Sequence, residues 1–377
     1  MRWTWLKGSW IAIVLLASAS IAEATPTIAV TPGSITTDAT GSVTVDIGNL
    51  SGSSSILRLY VDANGNGTID FGDEMIGAYL IPDLFTGGPA QPWSPAMPAD
   101  TNNAMGTISA PVRTFGPFEY PYSAGNFIWQ AEDTGDGSKQ TTTFSVTQTP
   151  QAQSVSGNVL NSSNMAAIPG ALVVLLQFCD AGEEAPRLYS AFTNGAGAYD
   201  IEVPATLDCY KRIVVPVKPG FVSDLLNRPL LTFTGSSNFV NEDVSLTPGA
   251  HAVSGTVTYS SGPETGNGIP GMLVFADGVD SPAVSVAFTD ENGDYSFTLT
   301  NGEWDISEPE GQLDSHGATA LEIRETVIVS GGPVAVPGIS MRASNAYFQG
   351  CLLYTSPSPR DFSCNLVFRL VGEKWGG

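Results

Sequence analysis

The chain has 377 residues and a net charge of −22, with 37 acidic against 15 basic side chains. A field of that sign repels phosphate backbones, so nucleic acid is excluded as a natural partner. Gly and Pro are abundant, Val and Thr runs are frequent, and no long stretch carries helical apolar spacing, which is an all-β profile.

The N-terminus begins with Arg2 and Lys7 beside a short apolar run, residues 11–22 (IAIVLLASASIA). Ala22-Glu23-Ala24 then places small residues at the two positions a signal peptidase reads. That is the pattern of a secretory signal over residues 1–24, too short and wrongly flanked for a spanning helix. Cleavage after Ala24 and a secreted, extracellular or cell-surface location are expected. No second apolar run reaches the ~18 residues a membrane span needs.

At the other end, residues 351–361 (CLLYTSPSPRD) back-translate to the end sequence of transposase-made sequencing libraries and the adapter that follows it. Residues 351–377 are therefore expected to be foreign to the natural chain, which would be truncated near Gly350. Without both ends, 10 basic and 34 acidic residues remain, a net charge of −24. The remaining 326 residues suit two or three domains of ~100–150 residues.

Residues 25–149 read as an immunoglobulin-like sandwich. Val43, Val45 and Ile47 alternate toward one face, as do Leu57, Leu59 and Val61, and later Phe144 and Val146. The run 125–129 (GNFIW) looks like a late strand with a buried Trp129.

Between two of these strands lies DANGNGTIDFGD, residues 62–73. Asp62, Asn64, Asn66, Asp70 and Asp73 occupy positions 1, 3, 5, 9 and 12 of a calcium loop, with Gly67 at 6. Oxygen ligands at that spacing converge on one centre, and the Gly permits the sharp turn. Thr68 would give its main-chain carbonyl from position 7. Position 12 is Asp rather than Glu, and a strand rather than a helix precedes the loop. Calcium is the expected cofactor, in the manner of loops grafted onto extracellular β-proteins. At ~millimolar extracellular calcium, even a site of ~10⁻⁴ M affinity would fill.

Residues 150–248 and 249–350 repeat one another. Val155-Ser156-Gly157-Asn158-Val159 matches Val253-Ser254-Gly255-Thr256-Val257, and Ile168-Pro169-Gly170 matches Ile269-Pro270-Gly271. Ala191-Phe192-Thr193-Asn194 matches Ala287-Phe288-Thr289-Asp290, and Gly197-Ala198-Tyr199 matches Gly293-Asp294-Tyr295. The offsets of 98, 101, 96 and 96 preserve both order and spacing, which marks a domain duplication. In the run 171–176 (ALVVLL) both faces are apolar, as for a strand between two layers. Residues 147–154 form a polar linker, and Pro248-Gly249 marks the second boundary.

The order of these motifs resembles the carboxypeptidase-regulatory-like family, with its transthyretin-like sandwich and its bacterial surface B-type relatives. The resemblance implies two transthyretin-like modules over roughly residues 153–345. It does not fix a role, because such modules serve as spacers, stalks, adhesin parts and enzyme appendages. Some surface relatives form Lys–Asn cross-links. The first strands of both repeats here contain no Lys, so that chemistry is not carried over.

Cys179 and Cys209 lie 30 residues apart in the first repeat, and an exported chain would pair them as a disulfide. His251 and His316 are the only histidines and fit no metal or triad spacing, so the visible chain is not expected to be an enzyme. Phe85, Trp93, Phe115, Phe118, Tyr120 and Tyr122 are expected to pack between sheets, with stacking on sugars as the alternative. The acidic turns at Asp290-Glu291-Asn292-Gly293-Asp294 and at Asp133, Asp136 and Gly137 read as hairpin tips. The expected role is a secreted or cell-surface structural or adhesive protein, engaging surface or extracellular polysaccharide or protein. The alternative is a carbohydrate-binding or spacer segment of a larger secreted hydrolase.

Overall fold

The computed structural model describes residues 25–39, 43–83, 100–112, 122–178, 187–204, 211–225, 230–231, 238–262, 265–307, 318–319 and 324–343. The expected signal segment, the expected foreign tail, Cys179, Cys209 and His316 all lie outside the described residues. Every regular element among the described residues is a strand. None of them includes a helix long and apolar enough to cross a membrane.

Module 1 contains β1 (Thr27–Thr31), β2 (Ser34–Thr36), β3 (Val43–Gly48), β4 (Ser54–Val61), β5 (Met75–Pro82), β6 (Ile108–Val112), β7 (Gly125–Asp133) and β8 (Lys139–Thr147). They form a three-stranded sheet, β1-β3-β6, and a five-stranded sheet, β2-β8-β7-β4-β5. The alternating residues of β3 and β4 share one core with Phe144, Val146 and a fully buried Trp129, as the period-2 pattern requires. Tyr122 is also buried there, which is the packing use expected of it. The other five aromatics of that group are outside the described residues.

One polar group locks the end of this sandwich. The Asp133 carboxylate is buried and accepts main-chain N–H bonds from Ser51, Gly52 and Gly135 at 2.5, 2.9 and 2.8 Å. Burial pushes its pKa up, but these donors outweigh burial and hold it below the usual carboxylate range.

Module 2 contains β9 (Gln153–Asn161), β10 (Leu172–Phe178), β11 (Arg187–Phe192), β12 (Ala198–Val203), β13 (Lys211–Val217), β14 (Phe221–Asp224), β15 (Leu230–Leu231) and β16 (Val244–Pro248). Module 3 contains β17 (His251–Tyr259), β18 (Leu273–Gly278), β19 (Ala283–Phe288), β20 (Asp294–Leu299), β21 (Gly302–Ser307), β22 (Ala318–Thr319), β23 (Glu325–Val329), β24 (Val334–Ala335) and β25 (Ile339–Ala343).

The duplication read from sequence is a duplication of structure. In module 2 the sheet order β11-β10-β13-β15 matches β19-β18-β21-β23 in module 3. The first strand of each module pairs in parallel with its last, Val159 with Val244 and Val257 with Ile339. Each Gly of the Val-x-Gly-x-Val strand lies opposite the Tyr of the Gly-x-Tyr turn, Gly157 opposite Tyr199 and Gly255 opposite Tyr295. Thr193 and Thr289 each donate to the Ile carbonyl of their Ile-Pro-Gly turn and accept from the N–H of the residue just after it, Ala171 and Met272.

The modules are not separate beads. Modules 2 and 3 share one eight-stranded sheet, β12-β9-β16-β14-β19-β18-β21-β23, joined where Ser223 and Asp224 of β14 pair with Val284 and Ala283 of β19. Module 1 covers the outer faces of both. Its core cluster takes in Leu172, Phe192, Val215 and Val217 from module 2 and Leu273, Val284 and Val286 from module 3. Each such side chain contributes roughly 1.5–3 kcal/mol on full burial. Phe127 of β7 meets Phe192 edge-on at 5.7 Å between ring centres.

The two Ile-Pro-Gly turns dock on module 1 as well. Gly170 (φ +66) and Gly271 (φ +67) need the left-handed region. A Cβ on Gly170 would lie 2.9 Å from the Ala63 Cβ, and one on Gly271 would lie 2.5 Å from the Ala78 backbone nitrogen. Gly271→Ala therefore costs backbone strain of ~1 kcal/mol and also pushes module 3 off β5. A loss of about 2 kcal/mol or more is expected in urea unfolding, and an unchanged midpoint would refute this docking role.

Asp133 supplies a pH prediction. Its folded pKa is depressed, so the stability it provides is present above the ordinary Asp value of ~3.9 and is lost as pH falls through the folded value. The melting temperature of the wild type should drop through that acid range, and the corresponding drop should shrink in Asp133→Asn. Parallel curves would contradict the assignment.

Candidate metal-binding loop

Residues 62–73 connect β4 to β5, two adjacent antiparallel strands of the five-stranded sheet. Val61 N–H donates to the Glu74 carbonyl, and Asp62 N–H donates to the Asn126 carbonyl, each at 2.9 Å. These bonds pin the loop's entry to the sheet. Gly65 (φ +72), Gly67 (φ +74) and Gly72 (φ +111) take left-handed or related conformations. Position 6 of the loop thus turns as the spacing predicts.

The structure brings all of the expected ligand residues into one small network. The two carboxylate oxygens of Asp62 accept from Asn66 N–H (3.1 Å) and Gly67 N–H (2.9 Å). Asp73 closes the other end, accepting from Ala63 N–H and Asp70 N–H, both at 2.9 Å. Asp70 receives the side-chain amides of Asn64 (3.0 Å) and Asn66 (2.7 Å). The Thr68 N–H and hydroxyl both donate to the Asn66 Oδ1, at 2.7 and 2.6 Å.

This donor set suits a hard, oxygen-seeking cation: three carboxylates, two side-chain amides and the Thr68 carbonyl. Two amide N–H groups face the Asp70 carboxylate. The Asn64 Oδ1 accepts from the Asn66 N–H and the Asn66 Oδ1 from the Thr68 N–H and hydroxyl, so either amide gives up these donors if it turns its oxygen toward a cation beside Asp70. Among the described residues, no three of His, Cys, Asp and Glu cluster closely enough to hold a metal by themselves. A cation here would thus depend on Asn64, Asn66 and the main chain as well as on the acids. Both Asp73 oxygens are already engaged by backbone, which opposes bidentate capture at position 12.

The loop lies on the joint between modules, which its spacing could not reveal. The Lys218 ammonium, on the turn after β13, donates to the Gly72 carbonyl (3.3 Å) and to the Pro169 carbonyl (3.1 Å). It stands 3.8 Å from the Glu74 carboxylate, and its side chain is nearly buried. Burial lowers the Lys218 pKa, opposed by Glu74 and Asp73. Burial likewise raises Glu74. On its other flank the loop meets the Asn194–Gly197 turn of module 2, where a Cβ on Gly195 would sit 3.3 Å from the Asn64 Cα.

A second ion pair ties module 1 to module 3. Arg58 alternates outward from the β4 core, yet its residue is only 5% exposed because another module covers that face. Its guanidinium pairs with Glu132 at 2.6 Å and with Glu291 at 2.9 Å. Glu291 belongs to the acidic turn of the second repeat. That turn folds as a hairpin tip, with Asp290 Oδ1 accepting from Asn292 and Asp294 N–H. Lys218 and Arg58 were not singled out by the sequence. An Arg between two core-facing Leu residues was the available signal for an outer face with a partner.

No family model matches the chain, and no curated protein matches it. It bears a likeness to the Bacillus anthracis TIE protein, at 12% identity and a TM-score of 0.22, covering 84% of this chain and 58% of that one. A streptococcal ancillary pilin is similar at 11% identity and a TM-score of 0.22, over 62% of this chain and 78% of that one. BcpA, the major pilin subunit of Bacillus cereus, is similar at 11% identity and a TM-score of 0.21, over 78% of this chain and 95% of that one. The chain thus spans 58% of the length of the first of these proteins. Likenesses this slight carry no weight for function, and the tandem β-sandwich fold stands on the chain's own sheets.

Proposed function

We propose that this chain is an exported structural or adhesive protein of the cell surface, stiffened by calcium in the loop of residues 62–73. The observation that supports this reading most is the joint itself. Module 1 packs against both repeats, and the oxygen-rich loop forms part of that contact through Gly72, Ala63 and Asn64. A stiff body of fused sandwiches suits load-bearing or display. The packing and the shared sheet order of modules 2 and 3 also support reading them as transthyretin-like repeats of the carboxypeptidase-regulatory-like kind. The partner expected of such a body is extracellular polysaccharide or protein.

Calcium would be held by Asp62, Asn64, Asn66, Asp70, Asp73 and the Thr68 carbonyl. Bound there, it would supply positive charge that offsets repulsion among the acids. The chain's own residues do the rest: Asp62 and Asp73 fix the loop's ends, and Lys218 holds its exit against module 2.

The test is calorimetric titration of calcium into chelator-treated protein, with melting measured alongside. Saturation at 100 times Kd should add about 2.7 kcal/mol to stability, and Asp62→Asn combined with Asp70→Asn should abolish both the binding heat and the gain. A melting temperature identical in calcium and in excess chelator would overturn the reading.

A further inference from the structure

An Asn side-chain amide is most readily lost when Gly follows it, because no side chain then shields the next main-chain nitrogen from the Asn Cγ. Six Asn-Gly pairs stand in the sequence, and two of them, Asn64-Gly65 and Asn66-Gly67, follow one another in the loop of residues 62–73. Both Asn residues are exposed, and both side chains fold back over the following peptide. The Asn64 Oδ1 accepts from the Asn66 N–H at 2.9 Å, and the Asn66 Oδ1 accepts from the Thr68 N–H at 2.7 Å. The two pairs differ at the attacking nitrogen. The Gly67 N–H donates to the Asp62 carboxylate at 2.9 Å. The Gly65 N–H has no hydrogen-bond partner among the described residues. The nearest atom to a Cβ placed on Gly65 is the Asn126 Nδ2, at 3.7 Å, so the surroundings are open as well.

The other four pairs are each held in some way. The Gly293 N–H donates to the Asp290 carbonyl at 3.0 Å. Gly302 opens β21 opposite Val329. Gly268 is crowded, since a Cβ there would come within 1.7 Å of the Asn292 carbonyl. Asn194 makes the same side-chain turn as Asn64, but its Oδ1 takes two main-chain N–H groups, from Ala196 at 2.9 Å and from Ala198 at 3.1 Å.

We propose that Asn64 is a site of spontaneous deamidation, which gives the loop a further carboxylate. The Gly65 nitrogen gives up its proton to water and attacks the Asn64 Cγ. The new N–C bond closes a succinimide, and the Cγ–Nδ2 bond breaks as Nδ2 takes a proton and leaves as ammonia. Water then opens the ring at one carbonyl or the other, leaving aspartate or isoaspartate at position 64. The reaction consumes water, releases ammonia and needs no oxidant or reductant.

The product changes the loop at its link to Asp70. The Asn64 amide donates to both Asp70 oxygens, at 3.0 and 3.3 Å. A carboxylate in its place removes those bonds and sets like charges against each other. The Asn64 Cα is also where the loop meets Gly195 of module 2, so the change is felt at the joint. One further consequence rests on the calcium reading. A fourth carboxylate, at position 3, strengthens the hold on a divalent cation, because ligand charge sets affinity in such loops. Deamidation thus makes the joint depend more on calcium as the protein ages.

The test is peptide mapping by mass spectrometry of the full chain, aged in warm neutral buffer, with fragmentation that locates the converted residue. Asn64 should convert about tenfold faster than Asn66, the factor that a hydrogen bond to a charged group represents. In urea the two rates should converge, since the folded loop sets the difference. Equal rates in the folded protein, or a difference that persists in urea, would overturn the proposal. Asn64→Asp supplies the product directly. In chelator it should melt ~2–4 °C below the wild type, and it should bind calcium about fivefold or more tightly. Calcium binding by both proteins with equal Kd would overturn the stated consequence. Binding by neither would overturn the calcium reading, and the mapping would still decide the fate of Asn64.

Discussion

A β-sandwich can cover only one face of each of its strands, and β10 is apolar on both. Val173 and Leu175 point into the module 2 core, while Leu172, Val174 and Leu176 point the other way. β18 repeats the arrangement, with Val274 and Ala276 inward and Leu273 and Phe275 outward. Left in water, those outward faces would form an apolar patch of the kind that drives association. Module 1 removes both from water at once. The position of the loop and the burial of Arg58 and Lys218 follow from that packing.

The ion pairs at the joint are consequences of burial more than causes of stability. Arg58 and Lys218 lose hydration when module 1 docks, and their acidic partners and carbonyls offset that loss. Their contribution is to register: a displaced module would leave a buried charge unpaired. Gly170 and Gly271 act in the same direction by requiring close backbone approach at two points.

Much of the fold was legible in the sequence because strand alternation is a local signal. Val43, Leu57, Phe144 and Tyr295 face the cores that their period-2 spacing predicts. The duplication was legible because turn chemistry is local too, and Thr193 and Thr289 make the same two bonds. The turn at Gly67 could be read for the same reason. The joint could not, since it depends on which outward faces meet, and outward residues obey no short-range rule. The apolar doubling of residues 171–176 signalled a second layer without naming its source.

The central claim is that the three modules form one packed body instead of a flexible string. Scanning calorimetry of the whole chain tests it most directly, by comparing the calorimetric enthalpy with the van't Hoff enthalpy. A shared core and a shared sheet predict a single transition with a ratio near one. Resolved transitions, one for each sandwich, would contradict the account.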